Sequence, residues 1–291
     1  MDTVMTGEII LPRNIAAVVV LYNPDDSVAQ RLLRYSTFLG EVFVIDNTEC
    51  PLFAEAMAAV VGIHLECIGS NDGIARALNR GITLAAQHQY RWVVLLDQDS
   101  ELTESTLAAT LKGTGLDVGI VAPRQLTKER DARRSRSEYG FKQVLTTMTS
   151  GSVLNIAAFM ECGPFEEKMF IDHVDHEYCL RLKQYGYLVM ECRDAVLDHS
   201  LGEVNRVSLA GRRIEITSHK PFRLYFFFRN GLYVSFRYMF VSPQFFFSFA
   251  RQCMLYVIKA LLFEHDKRLR LRMMALGVFD WALGRYGRRY V

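Results

Sequence analysis

The stretch Trp92-Val93-Val94-Leu95-Leu96-Asp97-Gln98-Asp99-Ser100 sets an apolar run directly before two carboxylates spaced two residues apart. The run is short and rich in branched residues, which predicts a strand buried on both faces. In an open α/β sheet the last side chains of such a strand face the crevice where ligands bind. Two acids placed there repel each other unless a positive group sits between them. A hard divalent cation holding a diphosphate would supply that group. The competing account is a turn that caps the next helix, since Ser100 and Thr103 are good N-cap residues.

Working outward, the first 120 residues alternate strand and helix patterns. Strands are expected at 15–21, 42–45, 63–67, 92–96 and 118–121, and helices at 26–38, 52–60, 73–87 and 103–112. This alternation predicts βαβ units and hence a parallel sheet with right-handed crossovers. After Pro123 the pattern changes. A polar run at 128–137 is expected as an exposed loop, and helices are expected at 156–161 and 174–185, the second closed by Gly186.

The chain is globular by composition, with 50% hydrophobic and 23% charged residues among 291. It is long enough for one full-sized domain with an extension, divided here as residues 1–220 and 221–291. A formal net charge of +2 gives no electrostatic case for a nucleic-acid partner. The six cysteines form no C-x-x-C pair and no zinc spacing, so they are expected as buried free thiols in a reducing compartment. No signal peptide is expected at the N-terminus, and no run of 18 uncharged apolar residues suggests a spanning helix. The expected location is therefore cytoplasmic.

The C-terminal part is different in character. Residues 222–249 contain thirteen Phe or Tyr, with Arg223, Arg229 and Arg237 among them. Residues 251–291 carry nine Lys or Arg against three acids. An amphipathic helix over 245–263 beside a basic tail fits a helix lying on an anionic membrane surface. A pair of core helices or a homodimer interface fits the same pattern.

Further polar constellations end or follow the expected strands. They are Tyr22-Asn23-Pro24, Asp46-Asn47-Thr48, and the glycine loop 69–73, which opens a helix and offers backbone N–H groups to an anion. Segment 170–181 concentrates Asp172, His173, Asp175, His176 and Glu177, and His199 follows a short apolar run.

Taken together, these stretches resemble the family 2 glycosyltransferases of the GT-A fold, and within them the bacterial rhamnosyltransferase branch. The matching residues are Val19-Val20-Leu21-Tyr22-Asn23-Pro24, Val44-Ile45-Asp46-Asn47, Asn71-x-Gly73-x-Ala75-x-Ala77-x-Asn79-x-Gly81 and Leu95-Leu96-Asp97-Gln98-Asp99-Ser100. They continue with Ser150-Gly151, Phe170-Ile171-Asp172-x-Val174-Asp175-x-Glu177-x-Cys179-Leu180-Arg181, His199 and Pro221-Phe222-Arg223-x-Tyr225-x-x-x-Arg229-Asn230.

The resemblance, which covers about residues 15–231, implies a Rossmann-like, mostly parallel sheet flanked by helices, and the aromatic and basic residues 221–291 are expected as a C-terminal helical extension. It implies that Tyr22 and Asp46 line the nucleotide pocket, with Asn71 and Arg76 or Asn79 near it, and that Asp97 contacts the nucleotide. Asp99 and His199 would hold a divalent metal, Mg²⁺ or Mn²⁺, on the diphosphate. Asp175 aligns with the second acid of the family's Glu-Asp pair, its general base. The first acid of that pair is Val174 here, which leaves Asp172 and Asp175 as alternative bases.

The implied reaction is inverting transfer of L-rhamnose from dTDP-L-rhamnose to a lipid-linked saccharide of a cell-envelope polysaccharide such as O-antigen. It would take place at the inner face of the bacterial plasma membrane. The same fold with UDP-galactofuranose or a UDP-hexose is the alternative donor reading. A non-catalytic nucleotide-sugar-binding or membrane scaffold is the alternative of another class.

Overall fold

The apolar runs form strands wherever both faces can be covered. β1 (Ala16–Leu21) and β2 (Val42–Asp46) are buried along their whole length. β3 (Ile63–Cys67) and β4 (Trp92–Asp97) complete a parallel set, with β4 buried up to Leu96. Between and after them run α1 (Ser27–Ser36), α2 (Ile74–Gln87) and α3 (Glu104–Leu111). This computed structural model describes residues 10–49, 60–126, 139–198, 204–209, 212–217, 220–264 and 266–289. The helix expected at 52–60 and the polar run 128–137 lie outside them, apart from residue 60.

Two glycines of the 71–81 motif have separate uses. Gly73 opens α2 at φ +93°, a backbone region that favours glycine. Gly81 lets the helix approach β1 so closely that a Cβ there would lie 2.4 Å from Val18 Cγ1. Thr103 is the N-cap of α3, accepting a hydrogen bond from the Thr106 N–H at 3.1 Å. Ser100 is not a helix cap. It is buried under the acidic strand end and meets Ser150.

The rest of the sheet was less legible. β5 (Val118–Leu126) is followed by β6 (Phe141–Gln143), β7 (Val153–Asn155), α4 (Ile156–Cys162), α5 (Val174–Gln184) and the long β8 (Leu188–Asp198). The eight strands run in the order β3-β2-β1-β4-β7-β5-β8-β6. β7 is antiparallel to both β4 and β5, β6 is antiparallel to β8, and the other pairings are parallel. The fold is thus the expected mostly parallel α/β sheet flanked by helices. Its core packs Val19, Val44 and Val94 against Leu32, Tyr35, Leu107 and Leu197.

The chain divides into two compact units, residues 1–167 with 175–199 and residues 168–174 with 200–291. The second unit contains a hairpin of β9 (Val204–Leu209) and β10 (Arg212–Thr217), then α6 (Pro221–Arg237), α7 (Pro243–Leu262) and α8 (Lys267–Ala282). The aromatic run is part surface and part core: Phe222, Phe236, Phe240 and Phe247 are exposed, while Tyr225, Phe226 and Phe228 of α6 pack with Met273 and Met274 of α8. Gly277 permits this, since a Cβ there would lie 2.4 Å from the Tyr225 carbonyl oxygen.

α7 behaves differently. It is long and apolar enough to cross a membrane, with mean hydropathy 1.4 over its best window, of which 17% is buried. It is the helix expected over 245–263, with Arg251 and Lys259 within it. Phe247, Met254, Leu255, Ile258, Leu261 and Leu262 are exposed along it.

Among the described cysteines none is in a disulfide. Cys162, Cys179 and Cys192 are buried as expected, whereas Cys67, at the end of the half-covered β3, is exposed. Cys50 lies outside the described residues.

Candidate active site

Because β1, β2 and β4 are parallel neighbours, their carboxyl ends share one edge. Asp46 on β2 pairs in register with Leu21, and Asp97 on β4 pairs with Val20. The two acids therefore flank the end of β1, with Cα atoms about 10 Å apart across two strand spacings. Tyr22 is the next residue of β1's chain and its side chain is exposed. Its backbone N–H donates to Gln98 Oε1 at 2.9 Å, which ties it to the acidic loop.

Asp46 is fully buried. One carboxylate oxygen accepts from the Thr48 N–H at 2.9 Å, while Oδ2 has no hydrogen-bond partner among the described residues. A buried carboxylate oxygen left in that state costs about 1–3 kcal/mol or more. A ligand N–H or hydroxyl arriving at this edge would remove the cost.

Neighbouring polar groups brace the loop that follows β3. The Asn47 side-chain amide donates to Asn71 Oδ1 at 3.2 Å, and Asn47 Oδ1 accepts from the Asp72 N–H at 3.2 Å. Arg76 is exposed and pairs with Asp72 at 2.9 Å. Asn79 is buried with its amide fully used. It donates to the Phe165 carbonyl and Glu167, and it accepts from the Phe165 N–H at 2.8 Å. Its observed work is to pin residues 165–167 to α2.

Asp99 is exposed at the tip of the strand-end turn. The turn is rigid beneath it, because Ser100 Oγ accepts from the Asp97 N–H at 3.2 Å and also meets Ser150 Oγ. Gln125 donates to the Ser150 carbonyl at 2.8 Å, so the Ser150-Gly151 loop is fixed from two sides. Cys179 of α5 approaches the Thr147 carbonyl of the same loop at 3.8 Å. Asp175 lies one turn earlier on α5, half-buried, with Oδ1 accepting from the His176 N–H at 2.8 Å.

The acids of segment 172–177 have separate roles. Glu177 is fully buried and bound to Arg181, which also donates to the Cys162 and Pro164 carbonyls, so that pair is structural. Asp172 belongs to the helical unit, where its carboxylate is ion-paired with Arg223. Phe170, Asp172 and His173 each hold φ +63°, a left-handed backbone that costs non-glycine residues energy. Asn230 offsets this by donating to the carbonyls of Met169, Ile171 and Asp172 at 2.6, 2.7 and 3.2 Å.

Arg229 is fully buried beside Asn230. It donates to the Tyr225 hydroxyl and to the Gly287 and Met169 carbonyls. Its tie to this segment depends on tertiary structure and gives no periodic signal, although Arg229 and Asn230 both lie in the quoted motif. Gln98, Asn47 and Arg223 likewise lie in quoted stretches, which assign no role to any of them. His199 lies outside the described residues.

The donor set suits a hard cation, since Asp97 and Asp99 present carboxylate oxygens two residues apart at a sheet edge. A group of Glu41, His64 and His88 also brings metal-ligating atoms together, but it lies at the amino ends of β2 and β3. The length of β2, about 16 Å, separates it from Asp46. A cavity of about 500 Å³ lined by Tyr90, Trp92, Leu116 and Ile156 also opens at the amino end of β4, away from the acids.

No protein-family model matches the chain. It is 31% identical over 239 residues to the dTDP-rhamnosyl transferase RfbF of Shigella flexneri, covering 75% of this chain and 78% of the relative. It belongs to the rhamnosyltransferase branch of the GT-A glycosyltransferases. The solved structures agree on the fold. TarS 1–349 of S. aureus in complex with UDP-GlcNAc matches at TM-score 0.58 and 12% identity, covering 94% of this chain and 93% of that one. The mannosyltransferase PcManGT of Pyrobaculum calidifontis, solved with GDP-Man and Mn²⁺, matches at TM-score 0.55 and 16% identity, with coverage of 94% and 87%. The rhamnosyltransferase-branch chain is thus a glycosyltransferase whose motif acids end the parallel strands of a GT-A sheet.

Proposed function

We propose that this glycosyltransferase moves L-rhamnose from dTDP-L-rhamnose, with inversion, onto a lipid-linked saccharide at an anionic membrane surface. The donor reading rests on the relationship to a dTDP-rhamnosyl transferase, together with the unsatisfied Asp46 oxygen at the nucleotide edge. Tyr22, Asp46, Asn71, Arg76 and Asp97 form the donor side, and Asn79 holds the α2 frame beneath them. Asp99, with His199, would hold Mg²⁺ or Mn²⁺, which neutralises charge on the leaving diphosphate when bound.

Asp175 is the base in this reading. The Asp172 carboxylate is already engaged by the Arg223 guanidinium, so its oxygens are committed to that ion pair rather than presented to an acceptor hydroxyl. Asp175 sits on α5, which reaches the Ser150 loop braced against the acidic turn. It takes the proton of the acceptor hydroxyl as that oxygen attacks the anomeric carbon. One base and one displacement give inversion.

The helical unit, and residues 221–291 within it, serves as the membrane-surface and acceptor-side element. Its support is the exposed apolar stripe of α7 beside exposed Arg251, Lys267, Arg268 and Arg272. In this reading the enzyme works at the cytoplasmic face of the plasma membrane.

Thermal-shift titration with dTDP-L-rhamnose, UDP-galactofuranose and UDP-hexoses, each with Mn²⁺ or Mg²⁺, ranks the donors by mass action. dTDP-L-rhamnose should stabilise most, and Asp99→Asn should abolish the metal-dependent part of the shift and of turnover. A larger shift with a UDP sugar transfers the proposal to that donor. An Asp99→Asn enzyme that turns over normally in EDTA overturns the metal assignment.

A further inference from the structure

The amino edge of the sheet carries a cluster that the transfer reaction does not use. Glu41 precedes β2, His64 is the second residue of β3, and His88 caps the C-terminus of α2. Their ligating atoms all lie within 4.8 Å of one another. Glu41 places one oxygen 2.7 Å from His64 Nε2 and the other 3.0 Å from His88 Nδ1.

The two rings are held in place. His64 stacks on Phe43 with centroids 5.0 Å apart and planes at 18°, and His88 meets the same ring edge-on at 5.1 Å. The Tyr90 hydroxyl donates to Glu41, and the Tyr90 ring meets Phe43 edge-on at 6.5 Å. Burial lifts the Glu41 carboxyl, but hydrogen bonds from His64, His88 and Tyr90 outweigh that and hold it below the ordinary carboxylate range.

We propose that Glu41, His64 and His88 form a zinc site, a second divalent-metal centre separate from the one at Asp99. Two imidazoles and one carboxylate are a recurrent Zn²⁺ ligand set, with water filling the fourth tetrahedral position. Ligand atoms around tetrahedral zinc stand about 3.4 Å apart, so the cluster needs only small rotations to close on an ion. His64 coordinates through Nε2 and His88 through Nδ1. Ring protons now shared with Glu41 leave to solvent or move to the other ring nitrogen.

Nitrogen donors make this centre a poor host for Mg²⁺ and a weak one for Mn²⁺, which prefer oxygen. The two edges of the sheet would then select different metals. Zinc here joins the start of β2, β3 and the end of α2, so its effect is to stiffen the frame behind the nucleotide edge.

The test titrates metal-stripped full-length protein with Zn²⁺ in saturating Mg²⁺, read by calorimetry and thermal shift. The expected result is one equivalent that raises Tm, persists in Asp99→Asn, and weakens at least about tenfold in His64→Gln and in His88→Gln. His88→Gln should leave transfer activity measured with Mg²⁺ unchanged. If either variant fails to fold, ring ¹⁵N spectra of the wild-type protein decide, with Zn²⁺ shifting one Nε2 and one Nδ1. Zinc binding that is absent, that is insensitive to both substitutions, or that shifts no imidazole nitrogen overturns the site.

Discussion

The core of the sheet unit is built from Val19, Val44, Val94 and their aliphatic neighbours. The core of the helical unit is built from Tyr225, Phe226, Phe228 and Met273, and it also encloses Arg229, Asn230 and Asp280. An aliphatic core holds itself together by burial and tolerates many arrangements of similar volume. Its strand ends can then carry Asp46 and Asp97, while a few buried polar groups such as Asn79 and Glu177 serve the frame. The helical core depends on satisfied hydrogen bonds. The Asp280 carboxyl is lifted by burial, yet bonds from Tyr225 and Arg289 outweigh this and hold it below its ordinary value. Polar substitutions at the strand ends of the sheet unit should therefore damage chemistry, whereas those in the core of the helical unit should damage folding.

The two candidate bases, Asp175 in the sheet unit and Asp172 in the helical unit, should differ most. Asp175→Asn should lower kcat about 10²–10⁴-fold with donor affinity and Tm nearly unchanged. Asp172→Asn should cost less than about tenfold in kcat and about 1 kcal/mol in stability, since its Arg223 partner is part-exposed. If the two kinetic profiles are exchanged, Asp172 is the base and the division between the units fails.

Next in size is Arg229→Met. It removes the Arg229 donor from the Gly287 carbonyl and from the Tyr225 hydroxyl, and one of the two donors to the Met169 carbonyl, so denaturant melts should show a loss of about 3 kcal/mol or more. Donor affinity of the folded fraction should stay within about twofold. A soluble, fully stable Arg229→Met protein would show the helical core to be as forgiving as the aliphatic one.

The smallest effect sharpens the membrane side. Co-sedimentation with anionic vesicles should weaken as salt rises, and about tenfold on Phe247→Ala, which removes a large exposed apolar side chain. Transfer to a soluble acceptor should not change. No vesicle binding at low salt removes the membrane proposal and leaves the α7 stripe as a packing surface.

How far the sequence could be read follows the same division. β1, β2 and β4 were legible because each is an apolar run ending in a polar turn, and their carboxyl ends assembled Asp46 and Asp97 as the parallel reading required. β6 and β7, at three residues each, are too short to show a period. β8 was missed because Glu191, Arg193 and Asp194 interrupt its apolar pattern. The aromatic run looked like a membrane face because composition does not say which side of a helix is covered, and most of α6 turned inward. The Asp172–Arg223 pair spans distant parts of the chain and has no local signature.

The insertion of β7 between β4 and β5 has a consequence for the newborn chain. At about 5–20 residues per second, Val153–Asn155 leave the ribosome several seconds after β4 has emerged. During that interval β1 to β4 can pair, but the flank of β4 that β7 will occupy stays bare, with unpaired backbone groups along an apolar strand. Such a flank is a template for joining another chain. The short antiparallel strand therefore closes off aggregation, and the need for a chaperone should be concentrated in the window just before residue 153 is made.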